Sequence, residues 1–243
     1  ALALVIRGLA YWQRGDIELA IADHTAVIQL ENSPPELFAR ALVSRGLFYR
    51  KCGDTEAAIA DLTQAIKCKD APPDQKSRAH FNAALIELDR GSWAEAEHHL
   101  RSGFAQDERD ESAFVVMIPE YFSALLNSGQ TRKTWKPRAD ALISIYEENK
   151  ALIWLGSGLV ASLPELRNSS LSPKGLSEWH AVWAEQADTH PELELPSRLL
   201  RTAINYFAAN EDKNVLLDLP AEEREILIQA LGLESQETDP DEG

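Results

Sequence analysis

The sequence predicts an all-α solenoid of stacked helical pairs, and three observations predict it. The first is a fixed internal period. Gly8-Leu9-x-Tyr11-x3-Gly15-Asp16-x3-Ala20-Ile21-Ala22-Asp23 recurs as Gly46-Leu47-x-Tyr49-x3-Gly53-Asp54-x3-Ala58-Ile59-Ala60-Asp61, an offset of 38 at every position. Between Arg7–Ile28 and Arg45–Ile66, 13 of 22 residues are identical. The second is a Gly-Asp pair in mid-unit, a helix stop followed by a helix start. The third is a Pro-Pro pair between units, at Pro34-Pro35 and Pro72-Pro73, which breaks one helix and opens the next. A repeat of this length buries its apolar face only against its neighbours, so the units must stack.

In the first unit, helix A runs from about Leu2 to Arg14, with Leu4, Val5, Gly8 and Tyr11 near helical spacing. Gly15 ends it and Asp16 caps helix B, which buries Ile17, Ala20, Ile21, Val27 and Ile28. The second unit repeats the plan around Gly53-Asp54. A more divergent third unit places Gly91-Ser92 and Ala96 in register, 38 residues after Gly53-Asp54 and Ala58. Ala84 replaces the packing glycine and Glu87 stands where tyrosine is expected, while Phe81, Leu85, Leu88, Trp93 and Leu100 keep the apolar pattern.

The residues Gly8, Tyr11, Gly15 and Ala20, and again Gly46, Tyr49, Gly53 and Ala58, resemble the tetratricopeptide repeat (TPR). Small residues at Gly8, Ala20, Gly46, Ala58 and Ala96 would let paired helices approach closely, with Tyr11 and Tyr49 filling the space beside them. The family's usual unit is about 34 residues. Here the inter-repeat loops Glu31–Pro35 and Lys69–Pro73 are longer, which should alter superhelical pitch and not the fold. The resemblance covers residues 1–106 and implies a right-handed superhelical solenoid.

Beyond Asp107-Glu108-Arg109-Asp110 the period is lost but helix signals continue. Ser112 to Asn127 is apolar. Pro137 suits the first turn of a helix reaching about Asn149. Ala151 to Leu163 stops at Pro164, and Asn168 to Pro173 reads as a loop. Leu176 to Ala187 carries Trp179 and Trp183, Pro196 opens Ser197 to Ala208, and Pro220 opens Ala221 to Leu231 before Gly232. The expected organisation is three repeats over 1–106, a helical extension over 107–233, and a disordered acidic tail over 234–243. The run Leu193-Glu-Leu-Pro196 … Leu199-Leu200 … Ala203-Ile204-x-Tyr206, with Leu216-Leu-Asp-Leu-Pro220-Ala-Glu-Glu223, looks like the C-terminal arms of large bacterial STAND-type ATPases that carry TPR-like repeats.

Composition narrows the function. The chain holds 24 Lys and Arg against 39 Asp and Glu, a net charge of -15. That balance speaks against nucleic acid or an anionic membrane as the main partner. No apolar run reaches the length of a membrane span. Cys52 and Cys68 show neither ligand spacing nor a disulfide framework, which fits a reducing, cytoplasmic setting. There is no signal peptide, and the opening at Ala1 without an initiator Met reads as a segment of a longer protein.

Catalytic signals are weak. No GxxxxGK[ST] phosphate loop occurs. Gly156-Ser157-Gly158 lacks the GxSxG spacing of a nucleophile elbow and reads as a close-packing device. Adjacent His98 and His99 diverge on a helix, so they read as solvated rather than chelating. His24 occupies a position held by Leu62 and Leu100 in the other units, and reads as a partly buried structural histidine. Trp154, Trp179 and Trp183 read as core packing, the last two at i, i+4.

In the resembled family, helix A lines a concave surface that receives peptides. The positions implied here are Leu2, Val5, Leu9 and Trp12, then Arg40, Val43, Leu47 and Arg50, then Arg78, Phe81, Leu85 and Leu88. Arg40, Arg50 and Arg78, with Trp12 and Phe81 nearby, would suit an acidic and aromatic peptide. The competing reading pairs these arginines with the chain's own carboxylates. The family's clamp for a peptide carboxylate is missing, because Val5, Val43, Leu9 and Leu47 occupy its positions. The functional expectation is a non-enzymatic protein-interaction module with a protein or peptide partner and no cofactor or metal. The alternative is the regulatory arm of a larger STAND-type ATPase.

Overall fold

The computed structural model describes residues 1–106, 111–127 and 131–233, with side chains for residues 1–106, 118–127 and 131–233. The expectation for the tail, Glu234 to Gly243, lies outside the described residues. The described residues form helices joined by short turns and loops and contain no strand. The chain divides into two compact units, Ala1–Ala113 and Phe114–Gly243.

The first unit is a solenoid of three helical hairpins. Helix α1 spans Leu2–Arg14 and α2 spans Ile17–Gln29. Helices α3 (Pro35–Lys51) and α4 (Thr55–Lys67) form the second pair, α5 (Pro73–Asp89) and α6 (Trp93–Gln106) the third. Each intra-pair turn needs a left-handed residue, and Gly15, Gly53 and Gly91 supply it at φ 84, 81 and 76. Asp54 caps α4 by accepting a hydrogen bond from the Ala57 amide at 3.1 Å. Asp16 sits in the equivalent place but makes no capping bond; its carboxylate pairs with Arg14 at 3.3 Å.

Close approach decides the packing within each pair. A Cβ built on Gly8 would stand 2.4 Å from His24 Cε1 and 3.3 Å from the Ala20 carbonyl. On Gly46 it would meet Leu62 Cγ at 3.0 Å and the Ala58 carbonyl at 3.3 Å. Ala20, Ala58 and Ala96 are all fully buried. Tyr11 and Tyr49 are half-buried and lie beneath guanidiniums: Arg7 is 5.9 Å and Arg45 5.6 Å from the respective ring centres. Between repeats, α1 packs on α3 and α3 on α5, and α2 and α4 fill the gaps.

The second unit has a different core. Helices α7 (Glu111–Asn127), α8 (Arg132–Glu148), α9 (Leu152–Ala161), α10 (Pro173–Ala187), α11 (Glu194–Ala208) and α12 (Ala221–Ala230) are joined in part by 3-10 turns at Leu163–Asn168, Pro191–Leu193 and Lys213–Asp218. Phe122, Trp135, Trp179 and Trp183 are all buried and meet edge to face, Trp135 on Trp179 at 5.2 Å and Phe122 on Trp183 at 4.8 Å. Gly156 and Gly158 are packing residues: an added Cβ would stand 2.9 Å from the Glu192 carbonyl and 2.0 Å from Ile118 Cγ2, respectively. Ser157 between them is exposed and donates to the Ile153 carbonyl at 3.0 Å.

Two prolines do not mark the helix starts that their positions suggest. Pro137 lies inside α8, which begins five residues earlier at Arg132. The extra turn places Trp135 in the aromatic core, fully buried, and that burial outweighs the missing amide bond. Helix α11 likewise begins at Glu194 and carries Pro196 in its first turn, where a missing N–H costs little. Helix α10 begins at Pro173, with Ser172 accepting from the Gly175 amide, so the expected loop shortens to residues 169–172.

The two packing glycines carry a test. Ala at Gly8 gains about 1 kcal/mol of helix propensity but must displace the buried His24 ring. Overpacking of this kind costs about 1–3 kcal/mol or more. Gly8→Ala therefore lowers the melting temperature clearly, whereas Gly46→Ala, whose added methyl meets Leu62 no closer than 3.0 Å, is near neutral. Equal shifts in thermal melts of the two variants would refute this assignment.

Candidate functional site

The helix-A layer of the first unit is the candidate site. Because α1, α3 and α5 pack on one another, they form one continuous surface. Residues at equivalent positions of the three units line up across it.

The five residues singled out for binding part company here. Arg40 and Arg78 are exposed, on adjacent A helices. Trp12 is half-buried and stacks on Phe48, centroids 4.6 Å apart with planes inclined by 21°. It presents an edge of the same surface. Arg50 is drawn down onto the protein: its Nε donates to the Asp89 carboxylate at 2.9 Å, leaving the side chain 12% exposed. The self-pairing reading holds for that arginine. Phe81 is a correction. It is 1% exposed and packs edge-on against Phe104 at 5.9 Å, so it cannot touch a partner.

The reason for Phe81 lies in a size exchange across the helix pair. Its counterparts Val5 and Val43 face units whose helix B carries Val27 and Ala65; here helix B carries Gly103. A Cβ on Gly103 would fall 2.5 Å from the Phe81 ring. The large ring fills the space the missing side chain leaves, a volume-conserving swap. Val5, Val43, Leu85 and Leu88 are buried too and leave the list of surface positions. Leu2, at 52% exposure, stays on it.

A second arrangement, not foreseen from the sequence, ties the layers together. Arg7 grips Asp23 with Nε and Nη2 at 2.7 and 2.6 Å, and Arg45 grips Asp61 with both donors at 2.7 Å. Arg45 also donates to Thr25 Oγ1 of the preceding unit at 2.8 Å. The signal was present in the period: Arg and Asp recur 16 apart in both units. The Arg7 guanidinium holds the Asp23 carboxyl below the ordinary carboxylate range, burial opposing. The first pair is open to solvent on the arginine side and the second is not, at 58% against 15% exposure.

The third unit abandons this tie. Ala83 and His99 replace the Arg and Asp. His99 instead faces His80, Nδ1 to Nδ1 at 3.0 Å. His98 is exposed as expected, whereas His99 is half-buried. Burial, then the charges of His99 and His98, push His80 down to about 4. Burial and His98 lower His99, with Glu87 opposing. His24 is fully buried, donates through Nδ1 to the Ala20 carbonyl at 2.8 Å, and is lowered by burial. Among the described residues no three His, Cys, Asp or Glu side chains gather as a metal site. No helix among them is long and apolar enough to cross a membrane.

Residues 39–70, from Ala39 on α3 into the loop that follows α4, match the family model of the tetratricopeptide repeat. That segment is a tetratricopeptide repeat, and the all-α hairpin architecture around it agrees. No curated protein and no solved structure matches the chain. The fainter likeness of the C-terminal half to STAND-type ATPase arms finds no support in these comparisons.

Two outcomes check the electrostatics. Asp61→Ala strands a guanidinium that is mostly buried and costs about 2 kcal/mol. Asp23→Ala frees one that solvent already reaches and costs less; equal losses in denaturant titrations would contradict the geometry. The histidine pair predicts a pH effect of definite sign. His80 binds its proton less readily folded than unfolded, so the stabilising difference is complete above the ordinary histidine value. It is lost as pH falls from about 6.5 toward 4. Melts at pH 7.5 and 5 should show that His80→Leu flattens the acid-side loss; an unchanged slope would exclude the pair as its source.

Proposed function

We propose that the first unit is a non-catalytic protein-interaction module that receives an acidic, aromatic-containing peptide or protein segment across its helix-A face. A tetratricopeptide repeat is in general a protein-binding element and typically non-catalytic, and residues 39–70 are one. The observation that carries the finer reading is the exposure of Arg40 and Arg78, 38 residues apart on neighbouring A helices. In a chain of net charge -15 a local pair of guanidiniums sets which ligand approaches. Trp12 and exposed Leu2 offer apolar contact on the same layer. Arg50 contributes through its ion pair with Asp89, which holds α3 beside α5, and not through the ligand. Neither nucleic acid nor a membrane is part of this reading. The extent of the module, residues 1–106, is part of the proposal, as is a cytoplasmic setting.

Peptide-library selection against the whole chain tests this. Acidic peptides with an aromatic residue should be enriched, and their binding should weaken as salt rises. Arg40→Glu with Arg78→Glu should abolish capture of the enriched peptides and leave helicity unchanged, because reversed charges repel the same ligand. Enrichment of basic peptides, or undiminished affinity of the double variant, would sink the assignment.

A further inference from the structure

The second unit holds a cavity that the interaction surface does not use. Two helix stripes face each other across it. On α10 they are Pro173, Leu176, Ser177 and His180; on α11, Arg201, Ile204, Asn205 and Ala208. Both follow i, i+3, i+4, i+7, so each set lies on one helical face. The 3-10 turn Leu163–Asn168 and its following loop supply the third wall, including Arg167. The pocket is open to solvent along one side, with Ser177, Arg201 and Asn205 exposed, and its volume of about 570 Å³ is within the range of small-ligand sites.

The charge of the walls selects the ligand. Arg167 is already neutralised: its Nε and Nη2 meet the Glu211 carboxylate at 2.9 and 3.1 Å. Its guanidinium also lies over the Phe207 ring, 5.7 Å from the centroid. His180 lines the same wall from α10. Burial, and next the charge of Arg201, lower its proton affinity, so it stands neutral near pH 7. No described carboxylate pairs with Arg201. Among the described residues the site therefore carries one cation without a carboxylate partner, the exposed Arg201, in a strongly acidic protein. A single such cation matches a singly charged group better than a doubly charged one such as a phosphate monoester.

We propose that this cavity binds a small organic monoanion, a carboxylate received by Arg201 with an apolar body seated against Leu176, Ile204 and Phe207. The guanidinium fork matches a carboxylate in two-point geometry. Ser177 and Asn205 lie one helical turn or less from His180 and Arg201 and bring further polar groups to the same walls. The carboxylate belongs either to a free small acid or to the end of a peptide chain; both present the same chemistry.

Isothermal titration of the 243-residue chain distinguishes the cases. One arm uses 4-phenylbutyrate and its amide; the other uses N-acetyl-alanyl-phenylalanine and its C-terminal amide. In at least one arm the acid binds about tenfold or more tightly than the amide, the value of one charge-assisted hydrogen bond. Arg201→Gln erases that preference without changing the melting temperature. Lys174→Gln removes the same charge from an 87% exposed side chain outside the cavity and leaves binding unchanged. Binding in the first arm alone identifies a free acid, in the second alone a chain end. Saturation by neither acid, parity of acid and amide in both arms, or full binding by Arg201→Gln overturns the proposal.

Discussion

Everything in the first unit depends on how closely two helices of a pair can approach. At Gly8 and Gly46 the helix-A backbone lies against helix B with no room for a methyl group beyond what His24 or Leu62 will yield. That distance fixes where the next layer can sit. It brings Arg7 within reach of Asp23 and Arg45 within reach of Asp61, so the ion pairs are a consequence of the close contact and not its cause. Surface pairs contribute little by themselves. The Arg45 pair counts for more because the same approach that allows it also shields it.

The third unit reaches a similar spacing by other means. Ala84 takes the place of the glycine, and bulk moves from helix B to helix A as Phe81 covers Gly103. Ser77 Oγ adds a hydrogen bond to the Gly103 carbonyl at 2.9 Å. With the Arg–Asp tie gone, His80 and His99 close the same interface with neutral rings. A divergent repeat is thus a different solution to one packing constraint.

That substitution of means explains what could be read in advance. Helix pairs, turns and small-residue contacts followed from the 38-residue period, because glycine and alanine at fixed offsets have few alternative uses. Position within the unit also marked Phe81 for the surface, since an equivalence of places says nothing of a compensating change 22 residues away. Arg50 was legible as a cation but not as the partner of Asp89, which lies 39 residues on. In the second half no period was available, and prolines were read as boundaries. Pro137 defied this because Trp135 needed the earlier turn for its burial. The stripes on α10 and α11 have helical spacing in the sequence, yet only folding shows that they face each other.

Arg45 deserves a last consequence, because it bonds in two directions at once. Two of its nitrogens hold Asp61 within its own hairpin, and a third holds Thr25 of the hairpin before. In a linear array, intrinsic repeat stability and nearest-neighbour coupling are separate quantities, and their ratio sets whether repeats melt singly or together. One side chain that serves both makes them move in step. Fraying of the first hairpin would release a tether on the second, and loosening of the second would unlatch the first. Hydrogen exchange across this junction would then report one shared opening, a zipper with its first two teeth fused.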